Sequence, residues 1–415
     1  MARSSILIIV AVSVLLSISM GLRQSLGLFL QPLTRDLSLA VADFTVAIAI
    51  QNLAWGFLQP IAGAVSTRIG FRPLMVGGAA LYIGGLVLLA TAQGLFGVVV
   101  GAGLMIGLAL ACTASAISLA VASRAVSASV RSTVLGMVTA AGSLGSVLAA
   151  PMGQMLSDGY GWRAGVVGFV VLGLGMLPAA WLAGRVDAIP LPPRAAGAPA
   201  DTSMKAALST AMGNTSFLIM AGAYFVCGMQ LVFLTTHLPS YLALCGMNPM
   251  LSAQVLMVIA VFNIAGSLFF GWAGSRWSEQ SLLGAIYTSR SIILAFYFAL
   301  PPTPLATLVF GALMGFLWMG VGPLMAGAVA TLFGLRWQAM IQGLAFMSHQ
   351  LGSFVGAFGG GVIFDALGSY DLAWKLGVGL GLAAGVVQLI FATPKKPPAL
   401  PRQGPPRLDP AAAAG

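Results

Sequence analysis

Acid is scarce in this chain. Nine of its 415 residues are Asp or Glu, nineteen are Lys or Arg, and charged residues make up only 7%. A soluble domain carries about a quarter charged residues. A chain that is 59% hydrophobic cannot build a solvated surface from so few charges. Cysteine is also sparse. Cys112, Cys227 and Cys245 show no CxxC and no ligand spacing, so neither a disulfide framework nor a metal site is expected, and the thiols read as small buried hydrophobes. No nucleotide loop, HExxH, GxSxG or acid pair within an apolar run is present, which argues against an enzyme and against a bound cofactor. The net charge of +10 does not point to nucleic acid. The basic residues sit mostly at the ends of apolar runs, with no basic stripe carrying interleaved aromatics.

What is present is apolar length. A membrane-crossing helix needs about 20 mainly apolar residues, and twelve stretches qualify: 6–32, 44–66, 73–93, 95–122, 131–157, 163–184, 215–242, 251–274, 281–300, 304–332, 340–366 and 374–393. The runs are unbroken rather than alternating, which excludes a membrane barrel and predicts helices. With the amino terminus cytoplasmic, fourteen Lys and Arg fall inside and only Arg35, Arg163 and Lys375 fall outside. Both termini are therefore expected in the cytoplasm of a cell that holds the chain in its inner (plasma) membrane. Residues 1–20 have the look of a cleaved leader, but cleavage would leave eleven spans and break the symmetry that follows.

The chain repeats itself. GMVTAAGSLGSVLAAPMGQMLSD begins at Gly136 and GLAFMSHQLGSFVGAFGGGVIFD at Gly343, an offset of 207. Gly21 pairs with Gly228 and Pro32 with Pro239 at that offset. Gly103 and Gly107 pair with Gly311 and Gly315, and Gly63 with Gly271, at 208. Six spans per half insert with the same orientation, so the halves form parallel repeats. The expected fold is all-α: twelve transmembrane helices in two pseudo-symmetric six-helix bundles, 1–184 and 214–393. A Pro/Ala-rich flexible cytoplasmic linker at 185–213 joins them, and a disordered cytoplasmic tail follows at 394–415. A monomer is expected.

GAVSTRIGFRP, residues 63–73, resembles the major facilitator signature between the second and third spans. Gly63, Arg68, Gly70 and Arg72 match it. Thr67 stands where the signature has an acid, and in the second-half echo GWAGSRW, with Gly271 and Arg276, Ser275 stands there. The resemblance implies that these residues govern the closing of the halves at the cytoplasmic face. The missing acids put the family's lock in question, although a hydroxyl could cap the helix start. GLRQSLGLFLQP, QNLAWGFLQPIAG, THLPSYL and SHQLGSFVGA are similar to the bacterial branch near monocarboxylate transporters and oxalate/formate exchangers. The arginine which that group often carries in its eighth span is missing. Asn263 and Ser267 occupy the corresponding stretch, and His349 falls at or beside the exchangers' lysine.

Arg23 is an arginine inside the first apolar run, 17 residues from its start, or about 25 Å along a helix. No Asp or Glu lies mid-span anywhere in the chain, so water, backbone carbonyls or an anionic substrate must satisfy it. A guanidinium holds a carboxylate through two parallel hydrogen bonds. Arg23, with its neighbour Gln24, is the expected anchor. Snorkelling outward or bonding helix carbonyls is the competing reading. Gln51, Trp55 and Gln59 recur every four residues, with Asn52 beside them, and form a polar-aromatic face of the second span that either lines a cavity or ties helices together. Gln230 is Arg23's repeat-mate. It joins Asn263, His349 and Gln350 as a substrate contact from the second half, and His349 is the candidate proton carrier. Arg290 is expected to be structural, and His237 to be an exposed interfacial residue. Gly142 and Gly145 of the fifth span and the run Gly359, Gly360 and Gly361 of the eleventh are expected at the contact between halves.

The composite expectation is a secondary transporter of a small organic anion, a mono- or dicarboxylate, working by alternating access as proton symport or anion exchange. Its partners would be that anion, with a proton in the symport case, and the lipid bilayer. Multidrug or metabolite efflux is the alternative, weakened by the absence of any mid-span acid. A non-transporting sensor is a further one, for which linker and tail are too short to supply an output domain.

Overall fold

The computed structural model describes residues 3–191 and 203–391. Arg194, the tail 394–415 and the middle of the linker lie outside them. Among the described residues, twelve helices are long and apolar enough to cross a membrane. Those of the first half are Ser4–Asp36, Asp43–Ile69, Phe71–Ala90, Leu95–Ala125, Ala128–Tyr160 and Trp162–Ala188. Those of the second are Thr215–Leu244, Met250–Gly274, Glu279–Ala299, Pro304–Phe333, Gln338–Leu367 and Asp371–Phe391. They are called here the first to twelfth spans.

Glycine turns and side-chain caps both bound the helices, and neither belongs to one half alone: Gly334 and Gly368 take positive φ in the second, and Asp187 caps Phe71 and Arg72 in the first. In the first half, tight hairpins turn on glycine: Gly70 and Gly161 take φ of 89° and 87°, a region that costs a residue with a Cβ. In the second half, polar side chains cap the free N–H groups. Asn214 accepts from Phe217 N, Asn248 from Met250 N, Ser278 from Ser281 N and Thr303 from Ala306 N. Pro249 and Pro304 follow two of these caps, where a missing N–H costs nothing.

Each half has its own core. Val12, Leu15, Tyr82 and Phe169 belong to a cluster drawn almost wholly from the first six spans. The second half holds two clusters, one around Phe217, Tyr287 and Leu324 and one around Phe233, Leu294 and Trp374. Glycine contacts inside the halves repeat with the sequence. A Cβ on Gly145 would fall 1.8 Å from Ser17 O, and one on Gly352 would fall 1.9 Å from Phe225 O. Gly107 lies against Gln51 O and Gly315 against Ile259 O. In lipid, where apolar burial drives little helix association, such backbone-to-backbone approach supplies the packing.

Two expectations are corrected here. Gly142 and Gly145 of the fifth span meet Leu16 and Ser17 of their own bundle, and Gly360, in the glycine run of the eleventh, meets Phe233 and His237 of its own. They build the bundles rather than the seam. The 185–213 linker also carries structure. Gly184–Ala188 is a tight helical turn, and Met204–Met212 is a short helix capped by Ser203, whose Ala207 and Ala211 are buried in the second bundle's core.

The seam between bundles runs from mid-membrane to the end that carries the linker. Gly63 abuts Ala339 and Met340, Gly343 abuts Gln59 and Pro60, and Gly136 abuts Ser267 and Gly271. Gln338 Nε2 donates to Ser123 Oγ at 2.9 Å across it. Toward the opposite, far end, Leu148 and Met155 of the fifth span are 72% and 74% exposed, and Phe354 and Phe358 of the eleventh are exposed too. Among the contacts described, the bundles meet at the linker end and part toward the far end.

Candidate functional site

Arg23 sits just before a change of helix form. The first span is α-helical through Ser25, tightens into a 3₁₀ turn at Leu26–Phe29 and resumes at Leu30. The arginine is half-buried and turned toward the second span. Its Nη2 donates to Asn52 Oδ1 at 2.5 Å, its Cζ lies 4.9 Å from the centre of the Trp55 ring, and its Nε is buried with no partner. Among the described residues no carboxylate pairs with it; the ion pair found there joins Arg163 to Asp36. Asn52 and Trp55 fall three residues apart on one helical face, and Trp55 Nε1 donates to Gln59 Oε1 at 2.9 Å, which fixes the ring.

From the other bundle, the eleventh span meets this group. Gln350 Nε2 donates to the main-chain oxygen of Asn52 at 3.1 Å, and Gly56 leaves room for Gln350, whose Cβ would lie 2.7 Å from a Cβ there. His349 Nδ1 is 3.3 Å from Gln350 Oε1. Rings continue the bridge. Trp55 and Phe346 lie 4.6 Å apart, Phe346 stacks on His349 at 5.8 Å, and Tyr224 lies 4.5 Å from His349. Phe346, His349 and Tyr224 are all half-buried. The floor of the gap between bundles is thus aromatic, with a guanidinium at one end and an imidazole at the other.

Five expected contacts, Arg23, Asn52, Trp55, His349 and Gln350, come together here. Gln24 is exposed next to Arg23. The structure places the others elsewhere. Gln51 is 1% exposed and donates to Ala102 O at 2.6 Å, which ties the second span to the fourth. Gln230 donates to Ser291 Oγ and Gly377 O, so its amide serves the ninth and twelfth spans. Asn263 is buried on the eighth span with Oδ1 unpartnered. Polar residues in a helix that is apolar on most sides give no signal of which neighbour they serve, and packing decided Gln51 and Gln230.

Arg290 is 0% exposed. It donates to Cys227 Sγ at 3.1 Å, Cys227 O at 3.5 Å and Gln230 Oε1 at 3.4 Å, the structural tie expected of it. His237 corrects an expectation. It is 8% exposed, with Nδ1 3.2 Å from Tyr370 Oη and Nε2 2.9 Å from Ala357 O, so it ties the seventh span to the eleventh and to the bend before the twelfth instead of facing the interface.

The signature region is also resolved. Gly63 and Gly271 lie in the seam, while Arg68 and Arg276 are exposed at the linker end, the latter with its Cζ 4.3 Å from the Trp272 ring. Arg72 stacks on Trp181 at 4.8 Å. Thr67 does not cap the next helix. Its Oγ1 donates back to Ala64 O, and Asp187 supplies the cap by accepting from Phe71 N and Arg72 N. Ser275 likewise turns back to Trp272 O. Sequence reasoning missed Asp187 because the contact spans more than a hundred residues.

Two further cavities, of about 190 Å³ and 460 Å³, lie among the seventh, ninth, eleventh and twelfth spans and share Trp374 in their walls. They lack Arg23 and His349.

Two six-helix bundles that meet at one end and part at the other around a polar mid-membrane cluster define a membrane transporter rather than an enzyme. A family model described as Major Facilitator Superfamily matches residues 8–357, and the chain belongs to that superfamily. Among curated relatives it is 28% identical to monocarboxylate transporter 11 of Mus musculus over 376 residues, covering 86% of this chain and 80% of that one. It is 24% identical to the uncharacterized MFS-type transporter YbcL of Bacillus subtilis, covering 88% and 91%. Among solved structures the Escherichia coli fucose:proton symporter FucP matches with a TM-score of 0.72 at 17% identity, covering 95% of this chain and all of that one. The human organic anion transporter MFSD10 matches with a TM-score of 0.67 at 15% identity, covering 94% and 100%.

Proposed function

We propose that the chain carries a small organic anion, a mono- or dicarboxylate, across the membrane by alternating access, with Arg23 holding the carboxylate. The observation that carries this reading is the state of Arg23. It is a half-buried guanidinium at mid-membrane whose described partners are one neutral amide oxygen and an aromatic face. A charge at this depth costs about 2.5–3.5 kcal/mol on insertion scales, and a carboxylate entering between the bundles would offset it with two parallel bonds. The likeness to proteins named monocarboxylate transporters supports the same class.

The linker end is assigned to the cytoplasm by its basic residues. Arg68, Arg72, Arg124, Arg131, Arg185 and Arg276 gather there, while Arg35, Arg163 and Lys375 mark the far end. In that orientation the bundles part toward the outside, so the site is poised to load from the exterior. His349, at the other end of the aromatic floor, is the group that would move a proton with the anion. Efflux of lipophilic cations finds no support in a site whose formal charge is positive.

The test is a thermal-shift and uptake panel on purified, reconstituted protein with acetate, lactate, benzoate and succinate, in wild type and Arg23→Gln. A bound carboxylate should raise the melting temperature by mass action and Arg23→Gln should abolish both the shift and uptake. Equal behaviour of the two proteins would overturn the assignment.

A further inference from the structure

Asn52 makes two kinds of bond at the site, and they separate cleanly. Its main-chain oxygen accepts from Gln350 of the other bundle. Its side chain faces Arg23: Oδ1 accepts from Nη2 at 2.5 Å while Nδ2 donates to Ile48 O, one turn back in its own helix, at 3.0 Å. The second bond orients the first, because an amide whose nitrogen is held by the helix presents its oxygen in one direction only. The oxygen so presented is an sp² acceptor at the guanidinium edge, where one oxygen of a carboxylate would sit. The guanidinium keeps capacity in reserve, since its Nε is buried without a partner and a second oxygen has a donor waiting.

We infer that Asn52 is a resident stand-in for the substrate carboxylate: its amide oxygen occupies the anion's place on Arg23 while the site is empty, and the arriving anion displaces it. This rests on the reading of Arg23 as the anion anchor and adds to it a self-competition that sets affinity. The neutral amide is a weaker acceptor than a carboxylate, so the anion wins the exchange, yet the buried cation is never left bare between transport cycles. Displacement rotates only the side chain. The main-chain bond to Gln350 survives it, so loading need not part the bundles.

Three variants separate the outcomes. Asn52→Ala removes the competitor and leaves the main-chain oxygen for Gln350; Asn52→Asp installs a permanent carboxylate; Arg23→Gln removes the anchor. Binding of lactate, benzoate and succinate to each purified, full-length protein is measured by isothermal titration. Asn52→Ala is expected to bind the preferred probe more tightly, on the order of tenfold, the worth of one bond to a charged group. Asn52→Asp is expected to lose binding and to melt at a higher temperature than wild type without ligand. If Arg23→Gln loses binding but Asn52→Ala binds as wild type does or more weakly, the anchor stands and the stand-in is overturned. If Arg23→Gln binds like wild type, or wild type binds none of the probes, the anchor itself is wrong and the stand-in falls with it.

Discussion

Asp187, at the end of the sixth span, caps the helix that begins at Phe71, accepting from Phe71 N and Arg72 N at 2.9 Å each. A Cβ on Gly70, which has φ of 89°, would lie 2.8 Å from the same carboxylate. Arg124 grips the segment from the other side, donating to Asp187 O and Ile189 O. An acid thus serves the start of the third span although Thr67 has none to offer; it arrives from the linker side of the first bundle.

Asp187→Ala should therefore lower stability by about 1–2 kcal/mol, the cost of losing a helix cap with charge-assisted bonds. Asp187→Asn, which keeps one acceptor, should cost less. Melting temperature in detergent is the readout, and an unchanged midpoint for Asp187→Ala would remove the cap from the account.

Arg290→Ala should destabilise by roughly 2–4 kcal/mol, since it leaves a cavity and strips Gln230 Oε1 and Cys227 Sγ of the donor they share. Because Arg290 bonds to the seventh span and not to the Arg23 group, affinity for carboxylate in the protein that does fold should stay within about twofold. A large loss of affinity without loss of stability would place Arg290 in the site.

A Cβ on Gly63 would fall 2.4 Å from Met340 N, and one on Gly271 would fall 2.6 Å from Gly136 Cα. Neither neighbour is a flexible side chain. Gly63→Val and Gly271→Val should wedge the linker end apart and shift the population toward the opposite state. Gly27→Ala, with nothing within 4 Å, should not. A Ser132→Cys reporter, placed where the seam buries Ser132, should react with a thiol reagent at least tenfold faster in the two seam variants. Equal rates in all three backgrounds would remove these glycines from gating.

His349→Gln should keep carboxylate binding within a few-fold but abolish uphill uptake driven by a pH gradient. Its nitrogen faces Gln350 Oε1 at 3.3 Å and Ser353 Oγ at 3.5 Å, partners that a glutamine can replace without carrying a proton. Gradient-driven accumulation that persists in the variant would assign coupling elsewhere.

The twelve spans and the doubling were legible in the sequence because apolar length and repeated glycine spacing are local signals. Arg23 stood out for the same reason, as a charge with no acid at its depth. Gln51, Gln230 and His237 were not legible. Whether a polar side chain lines a gap or holds a neighbouring helix depends on the partner's position. Ala102, Gly377 and Tyr370, the residues that claim them, lie 51, 147 and 133 positions away. Gly142 and Gly145 misled in a related way. A smooth surface suits any close helix contact, and Gly145 spends it on Ser17 of its own bundle.

Each half keeps a largely separate apolar interior, with Phe169 and Tyr82 in one and Tyr287 and Phe233 in the other, so covalent continuity between them should be dispensable. Two polypeptides ending at Ile189 and beginning at Ser203, made in the same cell, should find each other through the Gly63 and Gly271 faces and reassemble into one working carrier.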